Sequence, residues 1–199
     1  MSISFELQEQ LTPVLRAGDL VRCEQTVVER LSALPRSPFH VVLDLSITNK
    51  PEDVAAYFDD FFRQQPCSLI AAAYTEMNGF DINPNLWFCS PFAYQRYGGH
   101  DDYDWLSNWQ SGEYDYMVIR GLESLQQIYA SHAFRDKRFS DACAVSSLLV
   151  VIRFQDLIRR AASQMRELRF PLLASAHDYD FVYEIRVDSW PHKIEEESG

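Results

Sequence analysis

A chain of 199 residues, 47% apolar and 24% charged, is long enough to bury its own core without cross-links or a structural metal. Its net charge of −11 argues against nucleic acid, whose binders present a basic stripe to displace counterions, and against anionic lipid. The same charge favours solubility and steering toward a basic partner.

Residues 5–17 carry Phe5, Leu7, Leu11, Val14 and Leu15 near helical spacing, and Gly18 with Asp19 marks a stop and a fresh cap. A second helix over 20–34 follows, striped by Leu20, Cys23, Val27, Leu31 and Leu34, and closed by Pro35 and Pro38. Residues 39–47 alternate, with Phe39, Val41, Leu43, Leu45 and Ile47 on one side, and this predicts a strand. Thr48 or Asn49 then caps a helix with Pro51 in its first turn and Val54, Tyr57, Phe58, Phe61 and Phe62 on one face; Pro66 stops it.

The nearly continuous apolar run from Cys67 to Thr75 predicts a central strand covered on both sides. Turns at Asn78-Gly79 and Asn83-Pro84 lead to an antiparallel return over 86–94. After a long loop, a strand is expected at Tyr114–Ile119 and a helix over 121–133. Residues 140–168 change apolar face midway, which fits one long helix buried on both sides, or a strand to Arg153 and then a helix; the small residues at its start favour the helix. A last strand is expected over 179–187. Together these elements predict an α+β or mixed α/β domain over residues 1–193, with a central, mostly antiparallel sheet of four to six strands and helices packed on it. Residues 194–199 read as a disordered acidic tail.

The four cysteines, Cys23, Cys67, Cys89 and Cys143, form no close pair of the kind zinc sites use, and read as free thiols in a reducing compartment. The N-terminus lacks the basic and apolar regions of a signal peptide, and the longest apolar run, Leu148 to Ile152, is far too short to span a membrane. A cytoplasmic location is the expectation.

The unusual chemistry lies between Trp87 and Tyr116. Three of the four tryptophans fall there, among seven other aromatics and the acidic run after Gly98-Gly99, with no lysine. Tyr97, Asp101, Asp102, Tyr103, Asp104, Trp105 and Trp109 are therefore the candidate binding residues, because aromatic anchors supply interface energy and acids on the rim supply association rate. The competing reading is that these rings pack as a local core under their own loop. Two similar segments, HDDYDW and HDYDFVY, offer an alternative: if they met in space, His100, Asp102, Asp104, His177, Asp178 and Asp180 could ligate a divalent metal that activates water for hydrolysis.

Nucleophile elbows, phosphate loops and H-E-x-x-H are absent from the sequence. The expectation is a non-catalytic acidic binding or regulatory protein without a cofactor, acting on a basic protein partner. A toxin-neutralising, immunity-like protein is its most concrete form. A metal-dependent hydrolase and a carbohydrate-binding protein are the alternatives.

Overall fold

The computed structural model of the chain describes residues 3–65 and 70–186. It opens with α1 (Ile3–Arg16), which buries Leu7, Leu11 and Leu15, and α2 (Leu20–Ser32), which buries Leu20, Cys23, Val27 and Leu31. Between them the Asp19 carboxylate accepts the Arg22 amide at 3.0 Å and caps α2.

The strand expected over 39–47 is instead a 3-10 helix, Pro38–Asp44, followed by extended chain. The reason lies in side chains that claim its polar groups. The His40 ring meets the Ser37 amide and hydroxyl through Nδ1 (3.2 and 3.0 Å) and the Leu31 carbonyl through Nε2 (2.9 Å). At the other end the Arg153 guanidinium donates to the carbonyls of Val42 (2.7 Å) and Leu45 (2.6 Å), and to the Glu24 carboxylate (2.7 Å). With those carbonyls satisfied no sheet neighbour is needed, and the segment packs on α2, α4 (Glu123–Ala130) and α5 (Ser140–Ala162).

Pro51 opens α3 (Pro51–Gln64), which buries Val54, Phe58, Phe61 and Phe62, with Tyr57 half-buried. Lys50, not Thr48 or Asn49, stands at its N-cap. The Asn49 side chain accepts the Arg120 amide and donates to the Val118 carbonyl, both at 2.8 Å, and so fixes the short strand described next. The expected stop at Pro66, and Cys67, lie outside the described residues.

The sheet runs β3-β2-β1-β4-β5. Its centre is β1 (Ala72–Asn78), paired antiparallel with β2 (Phe88–Tyr94), which carries the two-residue edge strand β3 (Met117–Val118). On its other side β1 pairs in parallel with β4 (Leu172–Ala176), and β5 (Tyr183–Ile185) closes that edge antiparallel to β4. The sheet is therefore mixed, with its one parallel pairing next to the middle. Strand β4 has no counterpart in the sequence reading: LLASA is buried at every position, so it lacks the alternation that marks a half-covered strand.

The strand expected over 179–187 shrinks to β5. Ser175 Oγ donates to the carbonyls of Tyr179 (3.0 Å) and Phe181 (3.1 Å), and Gln155 Nε2 donates to Phe181 (2.7 Å), so 179–181 turn rather than pair. Val187 and the tail lie outside the described residues.

One face of the sheet carries the helices. Helix α4 (Glu123–Ala130) contributes Leu125 and Tyr129, and α5 (Ser140–Ala162) is buried on both sides, touching α1, α2, α3 and β4. Val145, Leu148, Leu149 and Ile152 are fully buried, and so are Phe154, Leu157, Ile158 and Ala161 on the other side. The change of apolar face along α5 thus reflects a helix enclosed by neighbours. No helix among the described residues is long and apolar enough to cross a membrane.

Candidate functional site

Among the described residues the other face of the sheet carries no α-helix. Alternation along the strands turns Ala72, Tyr74 and Glu76 of β1 and Phe92 and Tyr94 of β2 toward it, opposite Ala73, Met77, Cys89 and Ala93 in the helix-side core. The loop after β2 folds back over this second face and makes a smaller apolar cluster. Its buried members are Ala72, Tyr74, Tyr94, Leu173 and Val182, and Tyr97, Tyr103, Trp105 and Leu106 pack on them from the loop.

Hydrogen bonds fasten the loop. Tyr94 Oη donates to the Leu106 carbonyl (2.8 Å), the Gln110 amide to the Ala93 carbonyl (3.0 Å), and Tyr97 Oη to Glu184 on β5 (2.8 Å). Trp105 stands edge-on to Tyr94 and Tyr97, with ring centroids 4.8 and 5.7 Å away, and its indole N–H donates to the Gly99 carbonyl at 3.0 Å. The glycine pair permits this: a Cβ on Gly98 would fall 2.3 Å from the indole, and Gly99 sits at φ +88°.

The candidate binding residues divide accordingly. Tyr97, Tyr103 and Trp105 are half-buried and bonded within the chain, whereas Trp109 is 53% exposed and leans on Phe92 at 5.2 Å. Phe92 in turn stacks on Tyr74 at 6.1 Å. Asp101, Asp102 and Asp104 are exposed; Asp102 accepts the Asp104 amide at 2.9 Å and shapes the short 3-10 turn Asp104–Ser107.

The two histidine–aspartate segments do not converge. His100 lies beside Asp101 (3.7 Å), Glu184 (4.0 Å) and Arg186 (3.3 Å). His177 donates from Nδ1 to the Glu76 carboxylate (2.8 Å), with Asp178 at 3.6 Å. Glu184 is level with Leu173 on β4, and His177 lies four residues further along, about 13 Å at the rise of a strand. Among the described residues no group of three or more His, Cys, Asp or Glu is placed to hold a metal ion.

The loop separates two clefts of opposite character. On the α1 side, a cleft of about 600 Å³ is lined by Arg16, His100, Arg159, Glu184 and Arg186. Its arginines are engaged: Arg159 with Asp156 (2.7 Å), Arg186 with Glu184 (3.0 Å), and Arg16 with the His100 carbonyl (3.2 Å). On the other side a groove of about 260 Å³ lies between Trp109, Leu106 and the sheet, lined by Tyr74, Glu76, Asp178 and Asp180, with no lysine or arginine among its described lining residues. Burial first, and then the Glu76 carboxylate, hold the Tyr74 phenol well above its ordinary range, so it stays protonated.

Sequence reasoning missed Glu76, Tyr74 and Glu184. A signal for the first two exists: Glu76 is the one charged residue in β1 and shares a face with Tyr74. Cys23 and Cys89 are buried and Cys143 half-buried, all three free, and burial pushes Cys23 up to about 11 and Cys89 up to about 12. Comparison with family models, curated proteins and solved structures finds no match to this chain.

Proposed function

We propose that the protein is a non-catalytic binding protein that docks a basic protein partner on its loop-covered sheet face. A toxin-neutralising, immunity-like role is the most specific form of this reading. The observation that carries it is Trp109: a tryptophan left more than half exposed, braced from behind by Phe92, beside a groove whose charges are all acidic. Exposed aromatics backed by packed neighbours make interface anchors at low entropic cost, and a ring of like charge selects the opposite charge in the partner. Asp101, Asp102 and Asp104, exposed on the same loop, add negative charge that speeds encounter rather than holds the complex.

A peptide array in which net charge and aromatic content vary independently tests the reading. Retention should follow positive charge, weaken as salt rises, and fall sharply for Trp109→Ala. Preference for neutral or acidic peptides, or for oligosaccharides on a parallel glycan array, would overturn it, as would equal retention of the Trp109→Ala protein.

A further inference from the structure

The acid-lined groove has the dimensions and chemistry of a receptor for one side chain. We propose that it seats an arginine of the basic partner, with the guanidinium between the indole of Trp109 and the carboxylates of Glu76 and Asp180. This inference rests on the basic-partner reading above and names the contact that would give it specificity.

The groove joins an aromatic wall to an acidic base. Trp109, Leu106 and Tyr74 supply flat apolar surface, and Glu76, Asp178 and Asp180 supply negative charge at the sheet end. A guanidinium is planar, weakly hydrated, stacks on aromatic faces and meets carboxylates through a fixed fork of donors, whereas an ammonium does only the last, as a point charge. At about 260 Å³ the groove falls below the range of about 300–1,000 Å³ usual for drug-sized ligands. It suits one long side chain and not a sugar chain.

The walls are set before binding. Trp109 is propped on Phe92, and Gln110, next to it, is tied to Ala93. Glu76 is 27% exposed and is held by His177 and by the Tyr74 phenol, so its carboxylate is oriented before a ligand arrives. Asp178 sits at φ +63°, a left-handed conformation that aspartate tolerates and that brings it to the rim of the groove. Charge complementarity decides the occupant: three carboxylates line the groove, His177 lies against Glu76 and Asp178, and no arginine or lysine is among the described lining residues.

The probes are a blocked glycine-rich peptide with two arginines, its lysine counterpart and its citrulline counterpart, which keeps the shape and removes the charge. Calorimetric titration into the full chain should show binding of the arginine peptide, weaker binding of the lysine peptide and none of the citrulline peptide. Glu76→Gln and Asp180→Asn should each weaken the arginine peptide about five- to tenfold, the scale of one charge-assisted contact. Asp180 is exposed and outside the strands, so its variant remains informative if Glu76→Gln disturbs the sheet. Failure of the arginine peptide to bind, unchanged affinity in Asp180→Asn, or equal binding of citrulline would overturn the proposal. If the array still favours positive charge and Trp109→Ala still weakens it while Asp180→Asn does not, the groove inference alone falls. If positive charge gives no preference on the array, both fall.

Discussion

Gly98 sets the difference between two tryptophans four positions apart. Because it has no Cβ, the Trp105 ring lies directly on the backbone there, bonds to Gly99 and closes over Tyr94 and Tyr97; no such seat exists for Trp109. Truncating Trp105 should therefore destabilise the fold by about 2–3 kcal/mol, less than the full cost of a core tryptophan because the ring is only partly buried. Trp109→Ala should change stability by no more than about 0.5–1 kcal/mol while removing the proposed anchor. Urea denaturation of both variants checks the pair; similar midpoints would mean that the loop does not distinguish them. The sequence offers the aromatics and the glycines but not their pairing, since a loop has no period from which to infer which ring turns inward.

Elements were legible where periodicity alone decided them and illegible where a side chain supplied the backbone's partner. Helix α3 needed only its stripe of Val54, Phe58, Phe61 and Phe62, and the pair β1–β2 its apolar runs and turns, although β1 covers Ala72–Asn78 where the apolar run pointed to 67–75. The alternation over 39–47 is as clear as theirs, yet Arg153, more than a hundred residues later, takes the carbonyls that a strand would have offered to a neighbour. Likewise Gln155 and Ser175 claim the carbonyls around Phe181 and shorten β5. Such long-range side-chain bonds leave no local mark. They do make a prediction. Arg153→Met keeps the apolar stem but strands two carbonyls and the Glu24 carboxylate, and should cost about 2–4 kcal/mol. Amide hydrogen exchange should show the loss concentrated in 38–45 and the facing turns of α2 and α5. Exchange that rises evenly across the chain, or no loss of stability, would mean that the 3-10 segment holds without it.

The whole molecule combines a sheet sealed by helices on one side with an aromatic loop on the other, and that second seal is rich in phenols. The chain is strongly acidic, yet the perturbed groups that dominate its folded state are weak acids held protonated by burial. Cys23 is raised from 9.0 to about 11 and Cys89 from 9.0 to about 12. Tyr97 rises from 10.0 to about 12, by burial and then its bond to Glu184, and Tyr74, Tyr94 and Tyr129 are raised as well, each chiefly through burial. Each of these groups has a folded value above its unfolded one. Their contribution is therefore complete below the unfolded values and is lost as pH rises toward the folded ones, because the unfolded chain gives up protons that the fold retains. Stability should consequently hold level from about pH 7 to about pH 8.5 and then fall steeply between about pH 9 and about pH 11. Net negative charge grows over the same interval and adds self-repulsion in the same direction. The two causes separate experimentally: added salt screens repulsion between exposed charges but not the cost of ionising a buried phenol. Urea midpoints measured across this window at low and high salt, with tyrosinate absorbance followed alongside, should show a fall that salt only partly relieves, and phenols that ionise together with unfolding. Midpoints that stay flat to about pH 11, or phenols that titrate one by one near pH 10 in the folded protein, would show that the loop does not seal the second face as described.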